Sequence, residues 1–147
     1  MTEFFIQIFT NKFLIVPIIT WFCIQCYKVI DEFIKTKKFN IKRLLGAGGM
    51  PSSHTAIAIS LTFLIGKQYG FNSAMFAACL VFSFIIMYDA SGVRRAAGKQ
   101  AVVLNKIAQE PSISKIEGQE RLVEALGHTP LEVIVGAIIG IIVGLIF

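Results

Sequence analysis

The sequence predicts an all-α fold: an integral membrane helical bundle with about four transmembrane helices plus cytoplasmic surface helices. Hydrophobic residues make up 55% of the 147 residues, and the mean hydropathy of +0.71 is high for a soluble domain of this size. Four apolar runs approach the length that crosses a bilayer. The length allows one domain, residues 1–147, and no second one.

The first two apolar segments are predicted at about residues 13–30 and 52–69. An interfacial turn over residues 3–11 precedes the first of them. The second segment is short and carries Ser60 and Thr62. Because hydroxyl groups are costly to leave facing lipid, we expect this helix to pack inside the bundle.

The third and fourth segments are predicted at about residues 72–88 and 131–147. A span needs roughly 20 residues, so the second and fourth segments either recruit flanking residues or are sheltered by neighbouring helices. Gly136, Gly140 and Gly144 form a stripe along one face of the fourth helix. Such a stripe permits close helix approach, either within the monomer or against a second copy in a homo-oligomer.

The basic residues predict the topology. Twelve of the 14 Lys and Arg residues lie in segments 28–49 and 89–129, which the positive-inside rule assigns to the cytoplasm. Four spans of a multi-pass cell-membrane protein then place both termini outside. The charge indicates topology and not nucleic-acid binding. Residues 96–109 and 113–126 have helical periodicity and are expected to lie on the membrane surface or to cap the bundle.

Polar side chains gather at three places on this cytoplasmic side. They are Ser52, Ser53 and His54 at the start of the second span, Asp89, Arg94 and Arg95 at the end of the third, and His128, Thr129 and Glu132 at the start of the fourth. Two imidazoles with an acid and several cations suit phosphoryl chemistry. One imidazole can attack phosphorus and the other can protonate the leaving oxygen, while the cations neutralise the phosphate.

No metal and no cofactor is expected. Cys23 and Cys26 form a CxxC pair inside an apolar run, but no second pair and no neighbouring histidine accompanies them. Small residues that face lipid or the core explain this pair more simply than a metal or redox site.

Three segments resemble a known family: GAGGMPSSHTA from residue 46, YDASGVRRAAGKQA from residue 88 and LGHTPLEVIVGAIIG from residue 126. They are similar to the divergent PAP2 family, which is related to type 2 phosphatidic acid phosphatases and vanadium haloperoxidases. Trp21, Gln25 and Lys28 in the first span also fit that family. The resemblance extends over nearly the whole chain.

The resemblance implies a lipid phosphate phosphatase that works through a phosphohistidine. It makes His128 the nucleophile, His54 the general acid and Glu132 the residue that orients the nucleophile. The substrate-binding residues that it implies, or that lie beside the implied site, are Lys28, Arg43, Ser52, Ser53, Asp89, Arg94 and Arg95. Asp89 is expected to pair with one of the two arginines.

The chain departs from the wider superfamily at three of these positions. Ser53 replaces a glycine, and Glu132 replaces an aspartate. Leu122 occupies the place of an arginine that precedes the nucleophile by six residues. Arg121 is one residue away, and Arg94 or Arg95 is the other candidate source of that cation.

Other interpretations of the same residues remain open. Thr129 and Glu132 also form a capping box, and Ser52 or Ser53 also fits an N-cap. A non-catalytic membrane protein that binds or translocates phosphorylated lipids is the alternative to the phosphatase. A third alternative is a structural subunit held by the glycine stripe. The first two functions imply a membrane lipid or lipid phosphate as the partner. The structural subunit implies a second protein chain.

Overall fold

The computed structural model describes residues 1–46, 48–109, 122–124 and 126–147, with Lys42 and Leu45 described by their backbone alone. Within these residues the chain is helical and contains no strand, which confirms the all-α class. The helices are α1 (Thr2–Phe9), α2 (Lys12–Thr36), a 3₁₀ helix (Ile41–Leu45), α3 (Ser53–Tyr69), α4 (Ala74–Ser91), α5 (Val93–Ala108) and α6 (Pro130–Ile146).

Local sequence explains where α2 begins and ends. The Asn11 side chain accepts a hydrogen bond from the Phe13 N–H and so caps the first turn. The helix ends at Thr36, and the capping residue Lys37 adopts a left-handed conformation with φ 57°. It is longer than the apolar run over residues 13–30, because a polar last turn with an Asp31–Lys35 ion pair of 2.7 Å continues it.

Helix α3 is the centre of the bundle and packs on α2, α4 and α6. Ser60 and Thr62 are at most 1% exposed, as the sequence predicts for a helix inside the bundle. The Thr62 hydroxyl lies 2.8 Å from the Ala58 carbonyl oxygen and 2.8 Å from the Ser83 hydroxyl of α4. The Ser60 hydroxyl donates to the Ile57 carbonyl at 3.0 Å. The hydroxyls of Ser60, Thr62 and Ser83 therefore all have partners, which offsets the cost of burying them.

The glycine stripe of α6 packs within the monomer. A Cβ added at Gly136, Gly140 or Gly144 would lie 2.5–2.8 Å from a backbone oxygen of α3 or of its N-cap residue, Ser52. The three glycines thus allow the α6 backbone to approach α3 closely. Of the two alternatives for the stripe, the structure has the contact with α3. A homo-oligomer through Gly136, Gly140 and Gly144 stays a prediction.

Two stretches of the described chain are long and apolar enough to cross a membrane by length and composition: Lys12–Thr36, and Ala74–Ala108, which comprises α4 and α5. The helices α3 and α6 have 17 residues each, or about 25 Å at 1.5 Å per residue, against a hydrocarbon core of about 30 Å. They are the two segments that the sequence marks as short.

Hydrogen bonds between helix ends show that the apolar helices alternate in direction. The Lys12 ammonium donates to the Gln68 side chain, and the Lys67 ammonium donates to the Leu145 carbonyl at 2.9 Å. At the opposite end, the Ser52 N–H donates to the Glu132 carbonyl at 3.0 Å. The polar clusters predicted for one side of the membrane therefore lie at one end of the bundle.

The segment that leads into α6 corrects one prediction. Residues 122–124 and 126 are not helical, whereas periodicity predicts a helix over 113–126, whose other residues lie outside the described chain. Asn105 of α5 explains the difference. Its amide nitrogen donates to the Leu122 carbonyl and to the Glu124 carboxylate, and its oxygen accepts from the Leu122 N–H. These bonds hold the segment against α5 and replace helical ones.

Candidate functional site

His128 and Glu132 form a pair at the start of α6. The His128 Nδ1 lies 2.9 Å from the Glu132 Oε2, and the His128 residue is 4% exposed. A carboxylate can only accept, so Nδ1 carries the proton and the Nε2 lone pair is left available. The same carboxylate accepts from the Thr129 N–H at 3.2 Å, while the Glu132 N–H donates to the Thr129 hydroxyl at 3.3 Å. Glu132 is thus both a helix cap and the partner of His128.

Backbone contacts from α4 and α5 fix the position of His128. Its N–H donates to the Ala90 carbonyl at 2.8 Å. The preceding Gly127 has φ 82°, and a Cβ there would collide with the backbone N of Arg95. Only glycine fits both the conformation and the contact. The histidine is therefore placed by tertiary contacts as well as by its position before the helix.

His54 lies in the first turn of α3, beside His128. The two ring centroids are 6.3 Å apart, with an angle of 60° between the planes. A nucleophile attacks phosphorus from about 3–3.5 Å, and an acid reaches the leaving oxygen over about 2.6–3.2 Å. Two imidazoles whose ring centroids are this close can both contact one phosphoryl group.

Burial lowers the pKa of His128 below its ordinary value of 6.5, and the hydrogen bond to Glu132 opposes this shift. The positive charges of Lys28 and Arg43 lower the pKa further. His128 is therefore neutral at pH 7. That is the protonation state in which Nε2 can act as a nucleophile.

A cavity of about 270 Å³ opens beside His128 and Glu132. Arg95 and Lys99, one turn apart on α5, line it together with Gly48 and Gly49. We call this the α5 cavity. At about 30 Å³ per water molecule, it has room for a phosphate group and several waters. His54 does not line it.

A second cavity of about 460 Å³ lies beside α2 and shares Gly49 and Glu132 with the first. We call this the α2 cavity. Lys28 and Arg43 line it, and both side chains donate to the Gly48 carbonyl, at 3.0 and 3.2 Å. The Arg43 Nε also lies 3.3 Å from the carboxylate of Glu32 on α2. Two of the predicted cations thus meet at the glycine-rich turn.

That turn depends on its glycines. Gly48 and Gly49 have φ values of 83° and 78°, and a Cβ at Gly49 would collide with the Arg43 guanidinium. Side chains other than glycine are strained at such angles. The glycines before Pro51 therefore let a cation lie directly on the backbone beside the site.

The two serines differ from each other. Ser52 is fully buried and is the N-cap of α3, where its hydroxyl accepts from the N–H and the hydroxyl of Thr55. It lines neither cavity, and its role in binding phosphate stays a prediction. Ser53 begins α3 and is 2% exposed. No described residue supplies a hydrogen-bond partner for its hydroxyl.

The structure gives Arg94 and Arg95 different contacts: Arg94 pairs with Asp89, and Arg95 lines the α5 cavity. The Arg94 Nε lies 2.5 Å from the Asp89 Oδ2, and both side chains are more than a third exposed. Arg94 is thus an ion-pair partner near His54, and it is Arg95 that lines a cavity with His128. Leu122 is 46% exposed and supplies no charge, and Arg121 lies outside the described residues.

Lys99 is the cation that the sequence analysis did not single out. It follows Arg95 by four residues, so the two share a helix face, and this spacing is a signal that the sequence contains. Gly98 beside it brings α5 against the Glu124 and Leu126 carbonyls, a contact that periodicity alone does not predict. Within the described residues, no three His, Cys, Asp or Glu side chains converge as metal ligands.

These features define a class: a helical membrane protein with two histidines, a carboxylate and a basic cavity at one end of its bundle. The chain matches the divergent PAP2 family over residues 9–143 and belongs to it. It is 38% identical over 133 residues to the uncharacterized membrane protein YuiD of Bacillus subtilis (strain 168), covering 83% of this chain and 84% of that one. No solved structure matches it.

Proposed function

We propose that the protein is a membrane phosphatase of PAP2 type that hydrolyses a lipid phosphate through a phosphohistidine. The observation that carries this proposal is the His128–Glu132 pair of 2.9 Å with the His54 ring 6.3 Å from the His128 ring. Membership of the divergent PAP2 family supports it. A binding protein needs the cations of the site but has no use for an oriented neutral imidazole with a second one beside it.

The proposed reaction has two steps. The Nε2 atom of His128 forms a bond to phosphorus while the bond from phosphorus to the lipid oxygen breaks, and His54 gives its proton to that oxygen. Water then attacks phosphorus, the N–P bond breaks, and His54 accepts a proton from the water. Glu132 stabilises the charge that develops on the His128 ring. Arg95 and Lys99 from the α5 cavity, with Lys28 and Arg43 from the α2 cavity, balance the charge of the phosphoryl oxygens where the two cavities adjoin.

The test is phosphate release from dioleoyl phosphatidic acid and related lipid phosphates by the purified protein. We expect His128→Ala to abolish release and His54→Ala to reduce it by about 10²–10⁴-fold, the usual contribution of a general acid. Circular dichroism checks that both variants keep their helices. Full activity of both variants would contradict the proposal.

A paired measurement separates the phosphatase from the alternative, a protein that binds or translocates phosphorylated lipids. Arg95→Ala is expected to weaken binding of a lipid phosphate, whichever function is correct. His128→Ala is expected to stop turnover and leave most of the binding. Binding without any turnover by the wild-type protein, over a panel of lipid phosphates, would favour the alternative.

We further propose that the protein is multi-pass in the cell membrane with the site on the cytoplasmic face. The supporting observation is that Lys28, Arg43 and Arg95 line two adjoining cavities at one end of the bundle, as their charges predict.

A further inference from the structure

An apolar cleft of about 340 Å³ separates α2 from α6. Both helices pack mainly on α3 and contact each other little, so a gap remains between them. The residues that line it include Val16, Thr20, Cys23, Ile139, Val143 and Phe147. The one hydroxyl among these, on Thr20, donates to the Val16 carbonyl at 2.8 Å. It therefore has a hydrogen-bond partner without water in the cleft.

The cleft and the α2 cavity lie along the same two helix faces. On α2, Lys28 follows Thr20 by eight residues, which returns to the same face and lies about 12 Å along the axis. On α6, Ile139 and Val143 follow Glu132 by seven and eleven residues, again on one face. Lys28 and Glu132 line the α2 cavity, and the other three residues line the cleft. The α2 cavity and the cleft therefore follow one another along α2 and α6, and the lining changes from polar in the first to apolar in the second.

We propose that the cleft binds a hydrocarbon chain of the same lipid whose phosphate lies beside His128 and Glu132, where the α2 and α5 cavities adjoin. The polar end supplies cations and hydrogen-bond donors, and the apolar end supplies a surface without unpaired polar atoms. An amphiphile with an anionic head and a long chain matches this order of chemistry, whereas a free sugar phosphate leaves the cleft unused. The inference rests on the proposed function only for the position of the phosphate.

The test uses a probe that cannot be hydrolysed: hexadecylphosphonic acid with a diazirine in the middle of its chain. The wild-type protein in phosphatidylcholine nanodiscs is irradiated with the probe, and the adducts are mapped by mass spectrometry. We expect adducts in residues 16–23 and 139–147. Unmodified hexadecylphosphonic acid should compete with them, and methylphosphonic acid or hexadecanol should not. Adducts spread over the exposed face of α4, or insensitive to competitor, would overturn the inference.

A matched pair of variants tests the cleft itself. Val143→Phe fills it, whereas Ile142→Phe adds the same ring one residue away, at a position that is 51% exposed and does not line the cleft. We expect Val143→Phe to reduce competed cross-linking about tenfold, the effect of removing about two methylene groups from an apolar site. Ile142→Phe should leave it unchanged. Cys23→Phe repeats the test from the α2 wall if Val143→Phe does not fold, and equal effects of the cleft and control variants would contradict the proposal.

The cross-linking and phosphate-release experiments can contradict the chain site and the phosphatase separately. Competed cross-linking in the cleft with no release from any lipid phosphate supports the chain site and contradicts the phosphatase. Release that depends on His128, without adducts in the cleft, supports the phosphatase and overturns the chain site.

Discussion

At the scale of single residues, the site depends on Glu132, whose side chain has two roles. Glu132 accepts from the Thr129 N–H and from the His128 ring, so the capping box and the oriented histidine share one carboxylate. These two roles appear as alternatives in the sequence, because a capping box does not reveal which way the preceding residue turns. The structure has both, since the Ala90 carbonyl and Gly127 hold His128 beside the helix start.

The pH dependence of phosphate release should report His128. Burial lowers the pKa of this imidazole below 6.5, and the nucleophile must be neutral. Activity is therefore expected to persist to pH values below 6.5 and to fall only as pH falls through this lowered pKa. Measuring kcat/KM against pH checks this expectation. An acid limb above pH 6.5 would contradict it.

Substitution of Glu132 should separate its two roles. Glu132→Gln keeps a residue that fits a capping box but loses the carboxylate that raises the His128 pKa. We expect a loss of kcat on the order of 10²–10⁴-fold and an acid limb shifted to lower pH. The control is Thr129→Ala, which should lower the free energy of unfolding by about 0.5–2 kcal/mol and leave the acid limb in place. The same pH shift in both variants would mean that Glu132 acts only as a cap.

At the scale of the helices, the close contact of α3 and α6 sets the distance between the two histidines. His54 begins one helix and His128 precedes the other, and the glycine stripe allows their backbones to meet. Helical spacing identifies the stripe in the sequence. The spacing does not identify the helix on which the stripe packs, because a stripe of small residues permits close approach of any neighbouring helix.

Gly140→Ala should therefore destabilise the monomer. The added Cβ would lie 2.8 Å from both the Ala56 oxygen and the Ile59 Cβ, and overpacking of this kind costs about 1–3 kcal/mol. Unfolding in mixed detergent, followed by circular dichroism, measures the effect. Ile142→Ala on the exposed face of α6 is the control and should change stability little. A dissociated oligomer with unchanged monomer stability would instead place the stripe at an interface between copies.

At the scale of the whole molecule, charge and geometry agree on which helix ends belong together. Segregation of the basic residues predicts that the ends near Lys28, His54, Arg95 and His128 share one side, and the structure brings them around two adjoining cavities. Which side of the membrane they face stays a prediction from the positive-inside rule.

Labelling of single cysteines with an impermeant maleimide tests that orientation. In a variant without Cys23, Cys26 and Cys79, Lys38→Cys should react only after the cells are permeabilised, because it lies in the basic segment assigned to the cytoplasm. Asn72→Cys, in the turn between α3 and α4, should react in intact cells. The reverse pattern would place the site outside the cell and contradict the assignment.

The sequence by itself determined the four apolar helices, their approximate ends, the capping of α6 and the end of the bundle at which the polar clusters lie. Each of these follows from short-range rules: apolar run length, helix periodicity, capping residues and charge in loops. Tertiary structure alone decided that Arg95 and not Arg94 lines a cavity with His128, that Lys99 joins it, and that Ser52 is buried as a cap. It also decided that residues 122–124 are not helical. These outcomes depend on contacts between segments distant in the chain, such as Gly127 with Arg95 and Asn105 with Leu122, and neither periodicity nor capping contains that information.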